Sequence, residues 1–192
     1  FLRSDKLLLG ICNGFQTILK AGLLMRRAIE DVAEKTWEDQ VTLTWNSNGR
    51  YTDRWVRLKV TSCNSVFLKG LDEFDVPMAH AEGRIALKSP ELLDELRENS
   101  QIAACYWSAA AAEMLKATGD PTRIGLLPEP ENPNGSIANI AGLCDTTGRV
   151  LGLMPHPERF LFATQHPQWT RLGLRGEGDG IKVFRNAVTY FV

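Results

Sequence analysis

One run constrains this chain more than any other: Leu7-Leu8-Leu9-Gly10-Ile11-Cys12-Asn13-Gly14. Leu7 to Ile11 is a short continuous apolar stretch, as expected of a strand buried on both faces. The stretch breaks between Gly10 and Gly14. Phe15, Ile18, Leu19 and Leu23 then recur at helical spacing. The expectation is a strand, a tight turn and a helix. Cys12 sits at the tip of that turn, where the helix N-terminus directs unsatisfied N–H groups and a positive dipole end toward the sulfur. Such an environment favours the thiolate. The pattern is that of a nucleophile elbow with Cys in place of Ser. Taken alone, a buried structural cysteine accounts for it equally well.

The rest of the chain reads as strands alternating with helices. Val41, Leu43 and Trp45 alternate with polar residues, Asn46-Ser47-Asn48-Gly49 signals a turn, and 55–60 alternates again, which predicts an antiparallel pair. Ser89-Pro90-Glu91 opens a helix. Gln101 to Trp107 reads as a strand, Ala109 to Lys116 as a helix, and 137–143 and 150–154 as apolar runs separated by a turn. Residues 159–178 look irregular. Asp179 is placed to cap a last helix with Ile181, Phe184 and Val188 facing the core. The charged stretch 26–40 reads as a solvated helix or loop. Alternation of this kind predicts an α/β domain with a largely parallel sheet, in which active groups collect beyond the carboxyl ends of strands.

Charge and cysteine content narrow the function classes. Among 192 residues, Lys and Arg total 22 against 23 for Asp and Glu, a net charge of -1. That balance argues against a nucleic-acid-wrapping protein. No apolar run approaches the roughly 20 residues of a membrane span. The four cysteines (Cys12, Cys63, Cys105 and Cys144) are scattered without a CxxC pair, so zinc and disulfide frameworks are not expected and a reducing, cytoplasmic compartment is. No metal site is expected.

A second motif, Met154-Pro155-His156-Pro157-Glu158-Arg159, supplies what a thiolate needs. An imidazole accepts and donates protons near neutral pH, and a carboxylate on its other nitrogen fixes the tautomer. In an extended segment, residues two apart share a face. His156 and Glu158 thus form a plausible pair across the rigid Pro157.

Together, the run Leu9 to Gln16 and the run Gly152 to Arg159 resemble the class I, or triad, glutamine amidotransferases. Within them, the resemblance is to the glutaminase subunits of phosphoribosylformylglycinamidine synthases. Three intermediate runs fit as well: Gly49 to Leu58 with Arg54-Trp55-Val56, Ala79-His80-Ala81-Glu82-Gly83-Arg84, and Asn132-Pro133-Asn134-Gly135-Ser136-Ile137. The resemblance covers Leu9 to Phe191. It implies a single doubly wound, flavodoxin-like domain over 1–192. It also implies Cys12 as nucleophile, His156 as general acid/base and Glu158 as orienting carboxylate. Asn13 would give a backbone N–H to the oxyanion hole, Gln16 would recognise glutamine, and His80, Glu82 and Gly83 would help to bind its α-amino and carboxylate groups. His166 is expected to be a loop residue.

The resemblance further implies a large synthetase subunit and a small accessory subunit as partners. Glutamine is the implied substrate, and ATP and Mg at the synthetase would serve to aminate formylglycinamide ribonucleotide. These 192 residues contain no GxxxxGK[ST] loop. The family's glycine-rich oxyanion loop precedes the elbow, so a segment upstream of Phe1 is expected. Residues 26–48 and 108–131 read as surface insertions. Alternatives are an amidotransferase feeding another synthetase, a cysteine amidase or peptidase on a related α/β fold, and an inactive scaffold subunit.

Overall fold

The computed structural model describes residues 4–25, 40–61 and 63–192. Residues 26–39 of the charged stretch therefore lie outside the described residues. The elements are β1 (Leu8–Ile11), α1 (Asn13–Lys20), β2 (Val41–Trp45), β3 (Thr52–Val60), β4 (Glu73–His80), β5 (Glu82–Leu87), α2 (Pro90–Glu98), β6 (Ile102–Trp107), α3 (Ala109–Thr118), β7 (Ile140–Cys144), β8 (Val150–Leu153) and α4 (Ile181–Thr189). Six strands form one sheet in the order β1-β8-β7-β6-β3-β4, and β2 pairs with β5 in a second sheet. The expected α/β architecture and most element positions are present. No helix among the described residues is long and apolar enough to cross a membrane.

Parallel pairing is less extensive than expected. Among the described strands, β1 and β8 run parallel and the other neighbours are antiparallel. The connections explain this. The turn at Asp145–Gly148 joins β7 directly to β8, and β3 returns as β4 without an intervening α-helix, so each pair must run antiparallel.

The expected pairing of 41–45 with 55–60 does not form. β2 pairs with β5, from Val41↔Leu87 to Trp45↔Glu82, while β3 is hydrogen-bonded by β4 on one edge and β6 on the other. The turn itself closes, with the Gly49 N–H donating to Asn46 O at 2.9 Å. It carries the chain from one sheet to the other. Nor is 41–48 wholly a surface insertion, because Val41 and Asn46 are buried.

The sheet is buried on both faces, which is why β6, β7 and β8 read as unbroken apolar runs. Along β8, Val150 packs with Phe15, Ile18 and Ile140, whereas Leu151 and Leu153 pack with Leu58, Met78 and Val183. In α4 the core face is Val183 with Phe184 and Ala187, and Val188 is exposed. The expected Ile181-Phe184-Val188 face is thus rotated, because the helix docks against the turn at 66–68. The Asp179 side chain accepts from the Asp75 N–H at 3.0 Å and does not cap the helix.

Two links assemble the site from distant sequence. The parallel register Gly10↔Gly152 and Ile11↔Leu153 brings the carboxyl ends of β1 and β8 to one rim, sealed by the Cys12 N–H donating to Leu153 O at 2.9 Å. Beyond β8 the chain crosses to the far end of the sheet order, where the His156 N–H donates to Pro77 O at 2.7 Å. The six-stranded sheet is therefore curled, so that its first and last strands flank the same space.

Candidate active site

Cys12 occupies the turn between β1 and α1 with φ 53° and ψ −108°. Positive φ is uncommon for a residue with a Cβ and costs about 1–3 kcal/mol, a strain found mainly at functional sites. Close packing holds it there. A Cβ on Gly10 would stand 2.7 Å from the Gly14 carbonyl, and one on Gly152 would stand 2.1 Å from the Phe15 ring. These two glycines let α1 sit directly on β1 and β8. Gly14 is different: a Cβ there would meet open space, so its role is not steric.

His156 follows β8 and starts a short 3-10 turn, Pro157–Arg159. Its Nδ1 lies 2.6 Å from Glu158 Oε1, a charge-assisted distance. The other nitrogen, Nε2, is buried without a hydrogen bond of good geometry, as is Glu158 Oε2. The Cys12 sulfur is nonetheless the largest influence on the ring. Together with Glu158 it raises the imidazole to about 9 from the ordinary 6.5, against the opposing effect of burial. The three groups expected to act together are thus gathered in one place. An imidazolium stands between the Cys12 sulfur and a carboxylate, an arrangement able to carry a proton to and from a group bound at the sulfur.

The remaining expected residues are divided between this space and its frame. Asn13 is exposed at the first position of α1, and its carbonyl accepts from Thr17 Oγ1. Gln16 donates through Nε2 to Glu82 O at 2.8 Å, tying the elbow helix to β5. The Glu82 side chain is exposed. His80 is buried at the end of β4, with Nδ1 3.0 Å from Asn46 Oδ1 and Nε2 without a partner. Burial, then the nearby charge of His156, lowers His80 to about 4, so it is neutral at pH 7. Gly83 is required by that ring, since a Cβ would lie 2.2 Å from His80 Cε1. His166 lies in the 159–178 segment, its ring tilted against Trp55 with centroids 4.3 Å apart.

Three residues of the frame escaped the sequence reading. Asn46 looked like a turn former. Asn134 lay inside a run quoted only for its resemblance. Tyr106 looked like one more strand residue. In the structure Asn134 Nδ2 donates to Gly83 O at 2.8 Å and to the Tyr106 hydroxyl at 3.1 Å. Burial pushes the Tyr106 phenol well above its ordinary value, and the nearby Cys12 acts in the same direction. The signal that could have found them is polar residues inside otherwise apolar or tightly turned segments. No group of three or more His, Cys, Asp or Glu among the described residues is placed to hold a metal ion.

Comparison with known proteins identifies the family. The chain is 39% identical over 191 residues to a phosphoribosylformylglycinamidine synthase subunit PurQ from Dehalococcoides mccartyi, covering 99% of this chain and 66% of that protein. It is 38% identical to the subunit of that name from Methanococcus maripaludis, covering 100% and 68%. A solved structure, PurLQS from Thermotoga maritima, superimposes with a TM-score of 0.60 at 25% identity, covering 97% of this chain and 62% of that one. The chain thus spans about two thirds of the length of the relatives it matches. The profile of the CobB/CobQ-like glutamine amidotransferase domain matches residues 1–191, and with these relatives it places the chain in that family.

Proposed function

We propose that this chain is the glutaminase part of a phosphoribosylformylglycinamidine synthase, with Cys12, His156 and Glu158 as its catalytic residues. The observation that carries the reading is the meeting of an elbow cysteine with a carboxylate-paired imidazole held cationic at neutral pH. Glutamine binds with its side-chain carbonyl carbon against the sulfur. The thiolate attacks that carbon, the C=O π pair moves to oxygen, and the N–H groups opening α1, Asn13 foremost, face the developing charge. The tetrahedral intermediate collapses. The C–N bond breaks as His156 gives its proton to the departing nitrogen, and ammonia and a glutamyl thioester result. His156 then takes a proton from water as the water oxygen attacks the thioester. Collapse breaks the C–S bond, the sulfur leaves, and glutamate is released.

His80 and Gly83 line the glutamine pocket in this reading, and Gln16 and Glu82 position its wall. The ammonia passes to a synthetase subunit that uses ATP and Mg to aminate formylglycinamide ribonucleotide, with a small accessory subunit in the complex. Membership of the family and the named relatives support this reading.

The test compares nitrogen sources in the reconstituted complex. With glutamine, amidine formation is lost in Cys12→Ala. With ammonium ion it is retained. An electrophilic glutamine analogue, a diazoketone, labels Cys12 in the wild type. Retention of glutamine-dependent turnover by Cys12→Ala refutes the assignment.

A further inference from the structure

Four consecutive carbonyls beside the site, those of His80, Ala81, Glu82 and Gly83, each accept a hydrogen bond. His80 O accepts from Asn46 Nδ2 at 2.8 Å, Ala81 O from the Asn46 backbone N–H at 2.7 Å, Glu82 O from Gln16 Nε2 at 2.8 Å, and Gly83 O from Asn134 Nδ2 at 2.8 Å. The donors come from the end of β2, from α1 and from the loop before β7. Three amide side chains and one backbone N–H thus replace the water that ordinarily solvates the carbonyls of a turn.

Asn46 does more than clamp. Its Nδ2 also donates to Arg50 O at 2.9 Å. With both amide hydrogens committed to carbonyls, the orientation of the group is fixed, and the atom 3.0 Å from His80 Nδ1 is the oxygen Oδ1. An amide oxygen only accepts, so Nδ1 must carry a hydrogen, and in the neutral ring that burial favours Nε2 is then a bare lone pair. That lone pair has no donor in the structure, although His80 is only 4% exposed. The ring is confined by Gly83, against which it packs without room for a Cβ. The groups facing it are Asn46 and the imidazole of His156, whose charge acts on it. Two imidazoles side by side cannot both be cationic without weakening the charge that His156 needs.

We propose that Asn46 is a positioning residue for glutamine hydrolysis: its amide locks His80 as the neutral Nδ1–H tautomer and, with Gln16 and Asn134, fixes the 80–83 turn so that an unprotonated, buried Nε2 is held beside His156. The proposal rests on the glutaminase reading for its kinetic consequence, and on the hydrogen-bond pattern together with the burial of the ring for its tautomer.

The experiment is nitrogen NMR of the ¹⁵N-histidine-labelled protein, in which the three histidines are assigned by His166→Gln and His156→Gln. At pH 7 wild-type His80 is expected with hydrogen on Nδ1 and none on Nε2. In Asn46→Asp a carboxylate replaces the amide. It cannot donate to His80 O or Arg50 O, and its charge draws a second proton onto the ring, so the cationic signature is expected. In the complex that variant raises KM for glutamine about tenfold or more, with a smaller fall in kcat and a new ionisation on the acid side of the pH profile. Gln16→Glu, which removes only the donor to Glu82 O, raises KM and leaves the tautomer unchanged. A wild-type His80 that carries hydrogen on Nε2, or is cationic at pH 7, overturns the proposal without requiring any variant to fold. So does an Asn46→Asp complex with unaltered KM and pH profile. Absence of glutamine turnover in the wild-type complex overturns the glutaminase reading and the kinetic part with it, while the tautomer measurement stands apart.

Discussion

Replacing Glu158 with Gln should move the alkaline limit of the reaction downward. The His156 imidazole titrates near 9 against an ordinary 6.5. At about 1.4 kcal/mol per unit, this corresponds to a net preference of about 3 kcal/mol for the charged ring. Burial works against that preference, so the contributions of Cys12 and Glu158 together exceed it. Cys12 contributes the larger hydrogen-bond share, while Glu158 acts through both its 2.6 Å bond and its charge. Glu158 is 40% exposed, and solvent screens part of its charge. A share of about 1.5 kcal/mol is reasonable for a bond to an ionised group. Glu158→Gln should therefore bring the His156 titration down by roughly one unit. Two assays read this. One is the pH dependence of glutamine hydrolysis in the complex. The other is the rate at which iodoacetamide alkylates Cys12, followed by peptide mapping with the half-buried Cys63 as internal reference. An alkaline limb unchanged by the substitution would refute the account of how the ring is held charged.

Other outcomes follow from the same contacts. Gly152→Ala drives a Cβ to within 2.1 Å of the Phe15 ring and should lower stability by about 1–3 kcal/mol; thermal unfolding checks this, and Phe15→Leu should recover part of the loss. Gly83→Ala drives a Cβ to within 2.2 Å of the buried His80 ring and should both raise KM for glutamine and lower the melting temperature, read by steady-state kinetics beside calorimetry. The two histidines give opposite pH limbs of stability. His156, raised to about 9, contributes fully below 6.5 and loses that contribution as pH rises through 9; His80, lowered to about 4, contributes above 6.5 and loses it as pH falls toward 4. Denaturant titrations should show a maximum near pH 6.5, with His80→Asn flattening the acid limb and His156→Gln the alkaline one.

Much of this site was legible because its chemistry is local in sequence. The elbow needs a strand, a nucleophile and a helix within a dozen residues, and His156 and Glu158 are two positions apart. The elbow is present, and His156 meets Glu158, although through a 3-10 turn at Pro157–Arg159 rather than the extended segment expected. The strand pairings were harder to read, since periodicity shows which face of β2 or β3 is apolar but not which neighbour covers it. Val41, Leu43 and Trp45 alternate equally well beside β5 as beside β3. Parallel pairing was overestimated for a related reason, because apolar runs such as 140–144 and 150–153 signal burial on two faces, and helices can cover an antiparallel sheet too. Asn46 and Asn134 carried the weakest signal. An asparagine in a turn has the same composition whether it faces solvent or fastens two sheets together, and only its partners tell the two apart.

Pro77 sits in β4, the last strand of the sheet, whose outer border has no ladder partner among the described strands. A proline there withholds one N–H from any intruding chain, and its carbonyl is already occupied by the backbone of His156. The peptide that carries His156 is therefore also the guard of a vulnerable flank. Conditions gentle enough to loosen only that peptide would silence the enzyme and, in the same event, bare a surface on which copies of the molecule can stick. Inactivation and clumping should set in together, well before the interior melts.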